Sequence, residues 1–278
     1  MDLRKVLFIG GDAKKLASVQ IRCIDIAYRL GCDCILKVKS VDDIPRCYSL
    51  FVCVKSGIGR RDLHKLARKG KIIWDIIDVL PPTEAVALYL ASTYRVQKDF
   101  SSYGRVELIP HHHCNFSSLP NSFENRRPGW IGNNEWRPHL AGLDYENFSV
   151  RNMTQADVVN SLRKIGIGLN FRGGGAWADS QHPAKLQYDF HVALNSGVKL
   201  INCLGFGTPS ISADESAYRE IGEDCTIFSE PSQCAQWVRE LQINDALYGK
   251  LRKNCLLKSK RFHLDAIALE YKKLLQSL

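Results

Sequence analysis

The 278-residue sequence contains no run of about 18 apolar residues, so no membrane-spanning helix is expected. It has no paired CxxC motifs, which removes the common structural zinc arrangement. There is no GxGxxG dinucleotide fingerprint, and no GK[ST] that would complete a P-loop. No block of five or six like charges, no internal repeat and no low-complexity tract occurs. The opening MDLRKVLFIGGDAKK has too short an apolar stretch, and too much charge after it, for a secretory signal; it reads as a first buried β-strand.

What is present describes an ordinary globular chain, 45% hydrophobic and 24% charged, long enough for one large α/β domain or two smaller ones. Ten cysteines are many, and several sit inside apolar runs such as CDCILKV and LFVCVKS. Cys32 and Cys34 form a CxC pair with no matching pair downstream. The cysteines therefore read as reduced, mostly buried thiols acting as small hydrophobes, which favours a reducing cytosol. The net charge of +9 implies attraction to anions: a nucleotide diphosphate, nucleic acid or an acidic membrane face. It is spread over Arg60 to Lys71, over Arg126 and Arg127, and over Lys250 to Arg261.

Short apolar runs alternate with helical patterns. KVLFIGG, CDCILKV, SLFVCVKS and KIIWDIID read as strands. Val19 to Leu30 reads as a helix ended by Gly31, and Arg61 to Lys69 as another. After Pro81-Pro82 the pattern predicts a helix from Thr83 to about Ala91, with TYRVQ and VELIP as further strands. Such alternation predicts a parallel sheet covered on both faces, with ligands at the carboxyl ends of its strands. The Ser-, Asn- and Pro-rich segment 114–129 reads as a link, after which GWIGN, IGIGLNF, TPSISAD and CTIFSEP give new strands between helices.

Several places carry residues suited to chemistry. Residues 199–228 place an apolar helix face before Gly205 and Gly207, then Thr208-Pro209, a short strand and a polar loop opening a new helix. Glycines let backbone approach a ligand, and free N–H groups at a helix start suit a phosphate. A tight helix–turn–strand connection explains the same residues. Arg172-Gly173-Gly174-Gly175, after a strand, permits a backbone anion nest with a cation beside it, and equally fits a surface loop. Gly10-Gly11 after the first strand is the analogous loop of the first half. Lys199 suits a phosphate or a solvated helix face. Glu215 and Tyr218 open a helix that Asp214 or Ser212 could cap. Asp78, closing WDIID, suits a general base for an acceptor hydroxyl or a cap. His111, His112 and His113 alternate in an extended chain, so they do not by themselves make a metal site.

The 199–228 segment resembles the donor-binding end of nucleotide-sugar glycosyltransferases of the two-Rossmann GT-B type, especially the family-4-like retaining enzymes. Lys199-Leu200, Gly207, Pro209, Ile211 and Tyr218-Arg219-Glu220-Ile221-Gly222 carry the likeness, as do KVLFIGGD, ELIPHHHCNF, PGWIGN and the closing helix. The resemblance implies two Rossmann-like domains with a cleft between them: residues 1–120 on the acceptor side, 126–260 on the donor side, and a terminal helix at 261–278 packing back on the first. It implies a glycosyltransferase moving a sugar from a nucleotide-diphosphate donor, most simply a UDP-sugar, to an acceptor hydroxyl. No metal and no cofactor are called for.

The residues it implicates are Asp78, His111 and His112 for catalysis. For the donor they are Gly10, Gly11, Arg172, Gly173, Lys199, Asn202, Gly207, Thr208, Glu215 and Tyr218. The paired glutamates of the family fall here on Leu194 and Asn202. Asn202 can still bond a ribose or sugar hydroxyl, and Leu194 cannot. Rival readings are an enzyme glycosylating a DNA base or another phosphate-backbone binder, a sugar-nucleotide epimerase, and a non-catalytic sugar-nucleotide binder. The acceptor is open between a glycan, a lipid-linked glycan and DNA, with no obligate protein partner evident. The cytoplasm is the expected location, and attachment to a membrane face through the basic first half stays open.

Overall fold

VLFIG and LFVCV are apolar at every position, the pattern of strands covered on both faces. The computed structural model describes residues 2–12, 17–77, 81–82, 84–173 and 192–278. The chain divides into two units, one formed by Met1–His111 with Leu264–Leu278, the other by His112–His263.

The first unit is built on β1 (Val6–Gly10), β2 (Asp33–Leu36), β3 (Leu50–Val54), β4 (Lys71–Asp75), β5 (Leu88–Ala91) and β6 (Val106–Leu108). They form one parallel sheet in the order β2-β1-β3-β4-β5-β6. Every residue of β1 and β3 is buried. One face is closed by the helix Leu264–Gln276, whose Ile267, Ala268, Tyr271 and Leu275 join Phe8, Val52 and Ile73 in a single core. Gly31, at φ 66°, ends the preceding helix Asp25–Leu30 in the left-handed conformation that glycine adopts without penalty.

A π-helical stretch, Gln20–Ile24, interrupts the helix that follows β1. The wider turn shifts the helical phase, and Arg22 falls inside the unit, 1% exposed. Its Nε meets Asp75 Oδ2 at 2.5 Å and its Nη1 donates to the Ile109 carbonyl at 2.7 Å. Asp75 is the last residue of β4, so this buried ion pair sits at the carboxyl edge of the sheet.

One stretch differs from the reading of its sequence. Leu88–Ala91 is strand β5, and Tyr94–Asp99 is a helix whose N-cap, Thr93, accepts from the Val96 N–H at 3.3 Å. The β-branched and aromatic content of TYRVQ suggested a strand, but the Thr93 hydroxyl starts a helix there. The four buried residues LYLA fill the slot between β4 and β6.

The second unit holds β7 (Pro128–Gly132), β8 (Glu146–Ser149), β9 (Ile167–Asn170), β10 (Ser210–Ser212) and β11 (Thr226–Phe228), parallel in the order β11-β10-β9-β7-β8. Strand β8 carries no clear apolar pattern, being half-buried throughout, and had no counterpart in the sequence reading. The Asn-rich segment after His111 is part of this unit as well as a connection. Asn121 Nδ2 donates to the carbonyls of Leu162 and Ile165, both at 2.9 Å, and Asn115 Nδ2 to Gly205 O at 2.7 Å. Buried amide side chains thus add donors to backbone carbonyls near helix ends.

Candidate functional site

In a parallel α/β sheet the carboxyl ends of the strands, where loops leave and helices begin, gather ligands. In the second unit this edge brings four of the anticipated residues together. Arg172 follows β9 by two positions and Glu215 follows β10 by three. The Arg172 Nε and Glu215 Oε1 lie 3.6 Å apart, with side chains 18% and 9% exposed. Burial pushes the Glu215 carboxyl up, and Arg172, Asn195 and Lys199 oppose that shift.

Lys199 is the second residue of the helix Val198–Phe206. Its ammonium lies 4.6 Å from the Trp130 ring centroid and donates to the Phe171 carbonyl at 3.2 Å. The residue as a whole is only half-buried, but its charged end is enclosed. Burial, reinforced by the Arg172 guanidinium, lowers its pKa to about 7. Tyr218 is fully buried, and its hydroxyl has no hydrogen-bond partner among the described residues.

The sequence reading missed Asn195, which donates to Glu215 Oε2 at 2.5 Å and accepts from the Gly197 N–H at 3.0 Å. The signal was present in Asn195-Ser196-Gly197: an amide before a glycine at φ 67° that opens a helix. Trp130 was also missed, because an aromatic residue in a buried strand reads as core.

The other anticipated residues fall elsewhere. Asn202 Oδ1 accepts from the Cys114 N–H at 3.0 Å. Thr208 Oγ1 accepts from Asn121 Nδ2 at 3.2 Å, and Gly207 ends the Val198–Phe206 helix at φ 61°. The Gly173 N–H donates to the Trp136 carbonyl at 2.7 Å, and a Cβ there would stand 1.8 Å from the Arg137 carbonyl oxygen. In the first unit, a Cβ on Gly10 would come within 2.7 Å of Val19 Cγ1 and 2.8 Å of Leu36 Cδ2, so packing by itself favours glycine there. The Gly11 N–H donates to the Val54 carbonyl.

His111 and His112 are both 1% exposed, and His112 Nδ1 lies 2.9 Å from the His113 carbonyl. The neighbouring His113 ring is lowered to a pKa of about 4, by burial first and then by His263 and His112. Asp78, Gly174 and Gly175 lie outside the described residues. Among the described residues no three His, Cys, Asp or Glu side chains converge as a metal site, and no helix is long and apolar enough to cross a membrane.

No protein-family model matches the sequence, and no curated protein matches it either. Solved structures do. The Anabaena protein HepE, crystallised with UDP and glucose, superposes with a TM-score of 0.69 at 12% identity, covering 99% of this chain and 100% of its own. Sucrose-phosphate synthase from Thermosynechococcus elongatus gives 0.63 at 11%, covering 98% of each chain. The chain has the GT-B fold. A glycosyltransferase from Rickettsia africae adds a third GT-B likeness, at 0.57 and 9% identity over 97% of each chain. Agreement over nearly the whole length means that both parallel sheets, and not one common Rossmann unit, match. Within this GT-B chain the Arg172, Glu215 and Lys199 cluster occupies the carboxyl edge of the second sheet.

Proposed function

We propose that the protein is a glycosyltransferase that takes a nucleotide-diphosphate sugar, most simply a UDP-sugar, and passes the sugar to an acceptor hydroxyl. The observation that carries this reading is the pair of enclosed cations, Arg172 and Lys199, at the carboxyl edge of the second sheet. Likeness to HepE, solved with UDP and with UDP-glucose, points the same way.

Sugar transfer breaks the bond between the anomeric carbon and a diphosphate oxygen, so negative charge grows on the departing diphosphate. A preorganised guanidinium and ammonium facing that charge lower the barrier. Glu215, itself held by the Asn195 amide, lies in ion-pair distance of Arg172. Lys199, poised near neutrality, takes up a proton as the anion arrives. A metal ion has no assigned role, because the two side chains supply positive charge. Asp78, His111 and His112 are proposed to serve the acceptor side, and Asn202 to offer its amide to a donor hydroxyl. The acceptor hydroxyl is one carried by a glycan, a lipid-linked glycan or DNA.

A thermal-shift panel of UDP-, GDP-, ADP- and CMP-sugars tests this, with Arg172→Met and Lys199→Met beside the wild type. A donor at 100 times its Kd adds about 2.7 kcal/mol of stability. The wild type should shift with at least one donor, and each variant should lose most of the shift. Absence of any shift would sink the donor reading. Binding without turnover on glycan, lipid-linked and DNA acceptors would instead favour a non-catalytic binder.

A further inference from the structure

The helix Asp245–Ser259 and the single turn Lys260–Phe262 that continues it carry most of the basic tail noted in the sequence. Its cations divide by face. Arg252 turns inward, its guanidinium donating to the carbonyls of Gly207 and Asn121. Lys258 is paired with Asp224. Lys250, Lys253, Lys260 and Arg261 are exposed, and among the described residues none is in an ion pair with a carboxylate. At 100° per residue they fall, with Leu257, within an arc of roughly 100°. Leu257 is 59% exposed in the middle of that arc. The only acid in the helix, Asp245, is at its first residue and bonds Arg126 at 2.8 Å.

This arrangement costs something and has a direction. Four like charges along one stripe repel each other, and nothing on the same element offsets them. An exposed leucine among them adds apolar area to water. A planar anionic surface removes both penalties together, because it meets a straight row of cations along its length and takes the leucine into its interfacial layer.

We propose that this stripe docks the protein onto an anionic lipid bilayer, with Lys250, Lys253, Lys260 and Arg261 on the headgroups and Leu257 among the upper acyl carbons. The attachment is electrostatic and reversible, since a single leucine anchors weakly. It is independent of the proposed sugar transfer, and its test reads lipid binding alone.

The test is co-sedimentation of the full chain with vesicles of phosphatidylcholine, with and without 30% phosphatidylglycerol. Each lysine or arginine at such a surface contributes about fivefold to partitioning. The wild type should therefore bind anionic vesicles at least a hundredfold better than neutral ones, and lose most of that binding at 0.5 M salt. The variant K250Q/K253Q/K260Q/R261Q, with an unchanged Tm, should fall to the neutral-vesicle level, and Leu257→Gln should bind several-fold less. A control, R61Q/R68Q, removes two exposed arginines of the first unit and should bind as the wild type does. Equal binding to both vesicle types overturns the proposal, as does retention of binding by the quadruple variant. Equal loss in the R61Q/R68Q control also overturns it, as does steep binding to DNA or RNA with none to anionic vesicles.

Discussion

Arg22 and Asp75 offer the sharpest test of how the first unit is held together. Replacing Arg22 by Met keeps an unbranched side chain but removes the bond to Asp75 Oδ2, at 2.5 Å, and the one to the Ile109 carbonyl, at 2.7 Å. The Asp75 side chain is 0% exposed, so its carboxylate loses its ion-pair partner where no water can replace it. Breaking a buried pair from one side costs about 3–5 kcal/mol. For a cooperative unit of roughly 125 residues, an unfolding entropy of about 2.1 cal/mol/K per residue turns 4 kcal/mol into a Tm drop of about 15 °C.

Replacing both groups with apolar side chains, as in R22M/D75V, leaves no stranded charge and should recover at least about 2 kcal/mol of the summed losses. Burial pushes the Asp75 carboxyl up and Arg22 opposes it. Without Arg22 that upward push is less opposed and the folded state holds a proton that the unfolded chain releases, so the deficit of R22M should grow as pH rises above the ordinary carboxylate range. Urea unfolding of the wild type, both single variants and the double variant measures all of this. A coupling below about 0.5 kcal/mol, or an R22M deficit flat with pH, would show that the pair is not the ionised, water-free contact described.

Three further outcomes follow from the second unit. Lys199 loses its proton above a pKa of about 7, so UDP-sugar binding should take up a proton at pH 8 and weaken up to about tenfold per pH unit above neutrality. Calorimetry in buffers of different ionisation enthalpy reads the uptake, which Lys199→Met should abolish. His113, held neutral to about pH 4, refuses a proton that the unfolded chain accepts from pH 6.5 downward. Stability should therefore fall by about 3 kcal/mol between pH 6.5 and pH 4, and His113→Leu should flatten that slope in denaturant titrations. Asn121→Ala removes one donor from each of the Leu162 and Ile165 carbonyls, which keep the Ile165 N–H and the Thr208 hydroxyl, and should cost about 1–2 kcal/mol by chemical unfolding, where an exposed change such as Ser102→Ala costs less than about 0.5.

Legibility of the fold varied with how far each element depends on its own residues. Strands apolar at every position, such as β1 and β3, announce themselves because a parallel sheet is covered on both faces. Strand β8 is half-buried and polar, and only its partner β7 specifies it. TYRVQ has a strand's composition and becomes a helix because one hydroxyl, that of Thr93, caps it. Arg22 was hidden for a different reason: a π turn breaks the 3.6-residue period by which inward and outward faces are told apart. At the candidate site, Arg172, Lys199 and Glu215 were legible as charges near glycines and helix starts. Asn195 and Trp130 were not, since their part there is to hold or enclose those charges.

The assignment of Leu264–Leu278 to the first unit bears on the order in which the protein is made. Tyr271 packs against Phe8, with ring centroids 6.2 Å apart, and Ile267 and Leu275 fill the same core. A ribosome delivers those side chains only after all of the second unit has been synthesised. Throughout that interval β1 and β3 lie with one apolar face uncovered, while the second unit, continuous in sequence, already holds every residue of its own core. The nascent chain thus carries its greatest aggregation hazard in its oldest part, and an early stop just short of Leu264 would damage the N-terminal sheet first.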